Sequence, residues 1–115
     1  MKVFALTINL KDDEEIIRRY KEYHRNPFSE VVDVLSRSGI LDMKIFVRDR
    51  RMFMYMTTSD DYDPSRKVEG NKHPRVDEWN RLMNSFQEPV PEAGEGEWWA
   101  SMEQGFDLKE HLPQK

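Results

Sequence analysis

Tyr20 and His24 stand four residues apart in the stretch RRYKEYHRNPFSEV, residues 18–31. On a helix, positions i and i+4 are neighbours on one face, ~5–6 Å apart at Cβ, so a phenol and an imidazole there can converge on a single small ligand. Histidine is the side chain best placed to move protons near neutral pH, and a phenol beside it can orient a substrate or act as acid partner. Pro27 follows within a turn. It lacks an N–H and its ring collides with the carbonyl of residue 23, so the helix must kink or restart there, which opens concave space beside His24. The plainer alternative is a hydrogen-bonded structural histidine next to a core aromatic, and spacing alone does not separate the two.

Trp79 is the next candidate. Aromatic faces stack on the apolar faces of sugar rings, so it could floor a carbohydrate pocket, although it also fits as an ordinary core tryptophan. Trp98 and Trp99 enter the last expected strand, where one should point inward and the other outward, as a pocket wall or a partner contact. His73 and His111 fall in loop and tail contexts and read as solvated. The acids of SDDYD, residues 59–63, lack the glycine-bearing twelve-residue calcium pattern, so no metal site is expected. There is no phosphate-binding glycine loop, G-x-S-x-G elbow or dinucleotide fingerprint, so no cofactor is expected either. What remains is proton chemistry, or no chemistry.

The elements that must carry these residues follow from pattern. KVFALTINL (2–10) is rich in β-branched and aromatic residues and reads as a first strand. Acids at 12–15 then open a helix whose apolar face holds Ile16, Ile17, Tyr20, Tyr23 and His24. Asn26 is a competent N-cap for a second, short helix with Pro27 at its first position, running to Gly39. LDMKIFV (41–47) and MFMYMTT (52–58) read as a hairpin joined by RDRR, and 59–74 as polar loop with one helical turn from Pro64. Val76, Trp79, Leu82, Met83 and Phe86 recur at helical spacing; 88–97 is irregular; WWASMEQGFDL (98–108) is the last strand. The order β-α-β-β-α-β predicts an α+β, ferredoxin-like sandwich: a four-stranded antiparallel sheet with its helices on one face. Phe4, Phe46, Phe53, Tyr55, Trp99 and the row Met52/Met54/Met56 are too many to pack beneath two helices, so the other sheet face calls for a partner, most economically a second copy.

A chain of 115 residues is one domain (1–108, with a tail at 109–115) able to bury roughly 65% of its extended surface. Its net charge of -4, with both signs interspersed, disfavours nucleic acid. No apolar run approaches the ~20 residues of a membrane span, and no signal-peptide pattern stands at the start. With no cysteine the chain suits a reducing cytoplasm, the expected location.

The segments YKEYHRNPFSEV (20–31), GILDMKIFVRDRRMFMYM (39–56), RVDEWNRLM (75–83) and WWASMEQGFDL together resemble the L-rhamnose mutarotase family, in particular the branch that includes L-fucose mutarotases. The resemblance runs along nearly the whole chain, and the Tyr…His-Arg-Asn-Pro segment is its most specific part. It implies the same dimeric ferredoxin-like sandwich and a cofactor-free interconversion of the α and β anomers of a 6-deoxy-hexose. By resemblance the catalytic histidine is His24, its tyrosine is Tyr20 and the pocket tryptophan is Trp79. Phe28, Asn26, Tyr55 and Trp99 are the further substrate-binding positions expected. Cofactor-free monooxygenases, haem-degrading enzymes and silent sugar-binding proteins share this small dimeric architecture and stand as alternatives.

Overall fold

The computed structural model describes residues 1–65 and 73–113. In chain order the elements are β1 (Lys2–Leu10), α1 (Glu14–Arg25), α2 (Ser29–Ser36), β2 (Ile40–Arg48), β3 (Arg51–Thr58), α3 (Pro74–Phe86), β4 (Gln87–Glu88), β5 (Ala100–Ser101) and a 3-10 turn, Leu108–His111.

The sheet order is β2-β3-β1-β4, with β5 also on β1, and every pairing is antiparallel. This is the ferredoxin-like topology, with the fourth strand reduced to two short pieces. The expected strand over 98–108 pairs only at Ala100 and Ser101, and Gln87–Glu88 pairs with Leu10 and Asn9 further along β1. Two prolines and two glycines lie within residues 89–96, between the two pieces, and a chain without those N–H groups and with that freedom does not hold a ladder.

Register sorts the side chains into two faces. Ile8 stands opposite Met52, Leu6 opposite Met54 and Phe4 opposite Met56, with Val47, Ile45 and Met43 completing those rows on β2. Ile8, Leu10 and Met52 are fully buried against Tyr20, Val31, Val34, Val76, Trp79, Met83 and Phe86 of the helices. Each such aliphatic side chain contributes roughly 1.5–3 kcal/mol. The methionine row therefore lies under the helices rather than on the free face. That other face carries Phe46, Phe53 and Tyr55, with the Phe46 and Phe53 rings stacked at 6.1 Å.

Local chemistry sets the helix limits. The Asp13 carboxylate accepts from the backbone N–H groups of Glu15 and Ile16 (2.9 and 3.1 Å) and starts α1. Pro27 drives Asn26 out of the helical region (φ -133°, ψ 69°), so Asn26 closes α1 instead of capping α2, which begins at Ser29 with Phe28 before it. The β2–β3 turn uses Asp49 at φ 52°, a conformation that aspartate tolerates, in place of the usual Asn-Gly pair. His73 caps α3 through its ring, accepting from the Arg75 N–H, and His111 stacks on Phe106. The helical turn expected from Pro64 lies largely outside the described residues.

Candidate active site

Helix α1 brings Tyr20 and His24 onto one face, and that face is turned inward. Tyr20 is 2% exposed and His24 half-buried. Their rings stack with centroids 4.1 Å apart, and Trp79 of α3 leans on His24 at 5.1 Å. His24 Nδ1 lies 3.0 Å from the Tyr20 carbonyl oxygen, one turn back on the same helix. A carbonyl can only accept, so Nδ1 carries the proton and Nε2 carries the free lone pair. The backbone thus selects the tautomer of a proton acceptor.

Electrostatics reinforce that choice. Burial lowers the His24 pKa, and the bond to the Tyr20 carbonyl offsets this only in part, so the ring is neutral at pH 7. Burial pushes the Tyr20 phenol up to about 12, with the nearby Gln87 side chain pulling the other way. A neutral imidazole beside a firmly protonated phenol is an acceptor and a donor side by side.

Both face a cleft of about 560 Å³ between the helices and the sheet. Its apolar wall is Val31, Val32, Leu35, Met43, Ile45, Met54 and Met83; Trp79, Trp98 and Trp99 supply aromatic faces; Asn80, Asn84 and Gln87 supply polar groups. A smaller hollow of about 240 Å³ between α1 and β2 reaches Tyr20 and His24 from the other side, with Lys21 and Arg25 at its edge. Gln87 is held where the end of α3 meets β1. Its backbone pairs with Leu10, whose side chain faces the helices, and its own side chain follows to that face. There the indole N–H of Trp98 donates to Gln87 Oε1 at 2.9 Å.

Of the positions expected from sequence, Tyr20, His24, Trp79 and Trp99 line this one cleft. Asn26 and Phe28 line a separate hollow with Arg18, Arg19, Glu22 and Tyr23, where Phe28 packs on Trp79 and lies under the Arg75 guanidinium at 3.5 Å. Tyr55 is on the opposite face of the sheet, over a groove shared with Phe53 and the segment from Met102 to Lys109. Spacing alone does not pick out Gln87, Asn80 or Asn84. No cluster of three or more metal-ligating side chains occurs among the described residues.

The chain is similar along most of its length to two curated proteins, one of which carries a sugar-isomerising name. An L-fucose mutarotase of Xanthomonas campestris pv. campestris is 34% identical over 113 residues, spanning 96% of this chain and 90% of that protein. A UPF0734 protein of Dictyostelium discoideum is 39% identical over 114 residues, spanning 93% and 90%. Two solved structures share the fold: the L-rhamnose mutarotase of Formosa agariphila, with a TM-score of 0.66 at 17% identity over 93% of this chain and 98% of that one, and the tetracenomycin F2 cyclase of Streptomyces glaucescens, with 0.56 at 14% over the same shares. The sequence matches the L-rhamnose mutarotase family along residues 3–108, and the chain belongs to that family.

Proposed function

We propose that this protein is an isomerase that interconverts the α and β anomers of a 6-deoxy-hexopyranose, L-rhamnose or L-fucose, by acid–base ring opening. The observation that carries the reading is the tautomer of His24: Nδ1 is committed to the Tyr20 carbonyl, leaving Nε2 as a base beside a protonated phenol in a sugar-sized cleft. His24 Nε2 takes the proton of the anomeric hydroxyl while Tyr20 donates to the ring oxygen. The C1–O5 bond breaks and an open-chain aldehyde forms. Rotation about C1–C2 presents the other face of the carbonyl, O5 attacks it, and the two protons return. Trp79 supplies a ring face for stacking, Asn80 and Asn84 can hydrogen-bond hydroxyls, and Met43, Met54 and Met83 suit a C6 methyl better than a hydroxymethyl.

Saturation-transfer proton NMR on the anomeric signals of L-fucose, L-rhamnose and D-galactose tests this. Faster exchange for a deoxy sugar with the protein present supports it, and unchanged rates for all three would overturn it.

The direction of the His24 shift fixes a pH dependence. The neutral base is the form present above the folded-state pKa, and burial sets that pKa below the ordinary histidine value of about 6.5. Exchange kcat/KM should be at its plateau well above pH 6.5 and fall on the acid side with a midpoint below 6.5. A midpoint at or above 6.5 would show that another group governs the rate.

We also propose a cytoplasmic homodimer formed through the open sheet face. Val3, Phe46, Tyr55, Met102, Phe106 and Leu108 are exposed apolar side chains on or beside that face, and a cluster of exposed apolar side chains marks an interaction surface. Sedimentation should report a dimer for the wild type and a monomer for Phe46→Asp; a monomeric wild type removes this part of the proposal.

A further inference from the structure

The polar chain behind Tyr20 has a direction. An indole N–H can only donate, so the bond from Trp98 Nε1 fixes the Gln87 amide with its oxygen toward Trp98 and its NH₂ free for the next neighbour. Tyr20 lines the same cleft as Gln87, and the Gln87 side chain draws the phenol pKa down, as a donor beside the phenol oxygen does. Gln87 is 4% exposed and its backbone is pinned by β1, so the amide has little room to turn. A phenol oxygen that accepts from Gln87 must send its own proton elsewhere, and the cleft is the open side.

We propose that Gln87 is a positioning residue: held by Trp98, it donates to the Tyr20 oxygen and so aims the phenol proton at the ring oxygen of the sugar. This rests on the mutarotase reading. It assigns Tyr20 the donor role by hydrogen-bond polarity, and it explains why a polar side chain is buried at the end of α3. Without that polarity Tyr20 could equally spend its proton on Gln87 and offer the cleft only lone pairs, which cannot help O5 to leave.

Gln87→Glu is the direct test because it reverses the polarity with nearly the same shape. When ionised, the introduced carboxylate accepts from both Trp98 and Tyr20, so the phenol proton turns away from the cleft. When protonated, it keeps one O–H to donate to Tyr20 and restores the original sense. Among the described residues lining the cleft only Tyr20 and His24 titrate, with Lys21 and Arg25 at the adjoining hollow. Dividing variant by wild-type kcat at each pH removes the titration of His24 itself. The ratio should stand at about one tenth near pH 8, the loss of one good hydrogen bond to a reacting atom, and climb toward one as pH falls through the pKa of the introduced carboxyl group. A pH-independent ratio, or full activity near pH 8, would overturn the proposal.

Trp98→Phe removes the anchoring N–H at a partly exposed site and leaves an aromatic face, so it provides the second variant. It should lower kcat several-fold in the wild type and leave kcat unchanged in Gln87→Met, since the chain is already broken there. Equal effects in both backgrounds would mean that Trp98 acts on the sugar and not through Gln87. The Tyr20 ring resonance offers a reading independent of turnover: in Gln87→Glu it should follow the titration of the new carboxyl group, and no response would end the relay. An inactive wild type would end the mutarotase reading, whereas an active wild type with a flat ratio would end the relay alone.

Discussion

Replacing His24 with alanine is expected to remove ~10²–10⁴-fold of the anomer exchange rate, the usual contribution of one positioned acid–base group. The loss should fall on kcat more than on KM. The cleft keeps Trp79, Asn80, Asn84 and its methionines, so the groups suited to hold a sugar remain. The fold should survive, because His24 is only half-buried and its ring bonds to the Tyr20 carbonyl of its own helix. Near wild-type exchange in a folded His24→Ala protein would sink the assignment. Imidazole added to the buffer offers a further check. A small base entering the vacated space should recover part of the rate, with the recovery growing with the neutral fraction of imidazole and so with pH. His24→Gln, similar in shape but unable to carry a proton, should be about as impaired as alanine. If it is not, the ring acts by packing.

How far the sequence exposed this site depends on the kind of signal each residue leaves. Tyr20 and His24 were legible because helical spacing places i and i+4 together whatever the rest of the fold does. Trp79 was legible as a member of an apolar stripe on α3. Tyr55 shows the limit of such reasoning. It sits within a strand rich in aromatics, but period two puts it on the face away from the helices, and only the register of β3 against β1 and β2 reveals that the methionines took the inner face. Asn26 and Phe28 belong to the same short sequence segment as His24, and nothing local says which side of the helix they take. The turn forced by Pro27 carries them to the outer side of α1, against Tyr23 and Arg75. Gln87 left a faint mark. Val76, Met83 and position 87 are spaced by seven and four, so a glutamine continues a buried helical stripe where a hydrophobe would be expected. A buried polar residue needs a partner. Its hydrogen-bond partner Trp98 comes from 11 residues downstream and its cleft neighbour Tyr20 from 67 upstream, and that is tertiary information. The fourth strand was blurred for a similar reason: the pairing of residues 87–88 and 100–101 is decided by where β1 offers an open edge, which no local preference encodes.

Tyr20→Phe separates the phenol's proton from its ring. The aromatic stack on His24 and the burial beneath the helices are retained, since only one oxygen is deleted. If the hydroxyl delivers a proton to O5, the variant loses a hydrogen bond to an atom gaining charge, worth ~1.5–3 kcal/mol, which lowers kcat by about 10–150-fold. That is smaller than most of the range expected for His24→Ala, because deleting one oxygen removes a single hydrogen bond whereas His24→Ala removes the base itself. A pKa of about 12 argues in the same direction, since the phenol keeps its proton throughout the working range and cannot serve as the base. The pH profile of Tyr20→Phe should therefore keep the wild-type acid limb, which belongs to His24, at a lower plateau. Loss of that limb would mean that the two residues titrate as one unit. There is a structural consequence too: the Gln87 amide loses its neighbour in a site that is nearly closed to water, at a cost of about 1–3 kcal/mol of stability. The double variant Tyr20→Phe with Gln87→Met should recover stability without recovering activity. A fall in kcat with restored stability would place the phenol in the chemistry, whereas activity that returns with stability would make Tyr20 a packing residue.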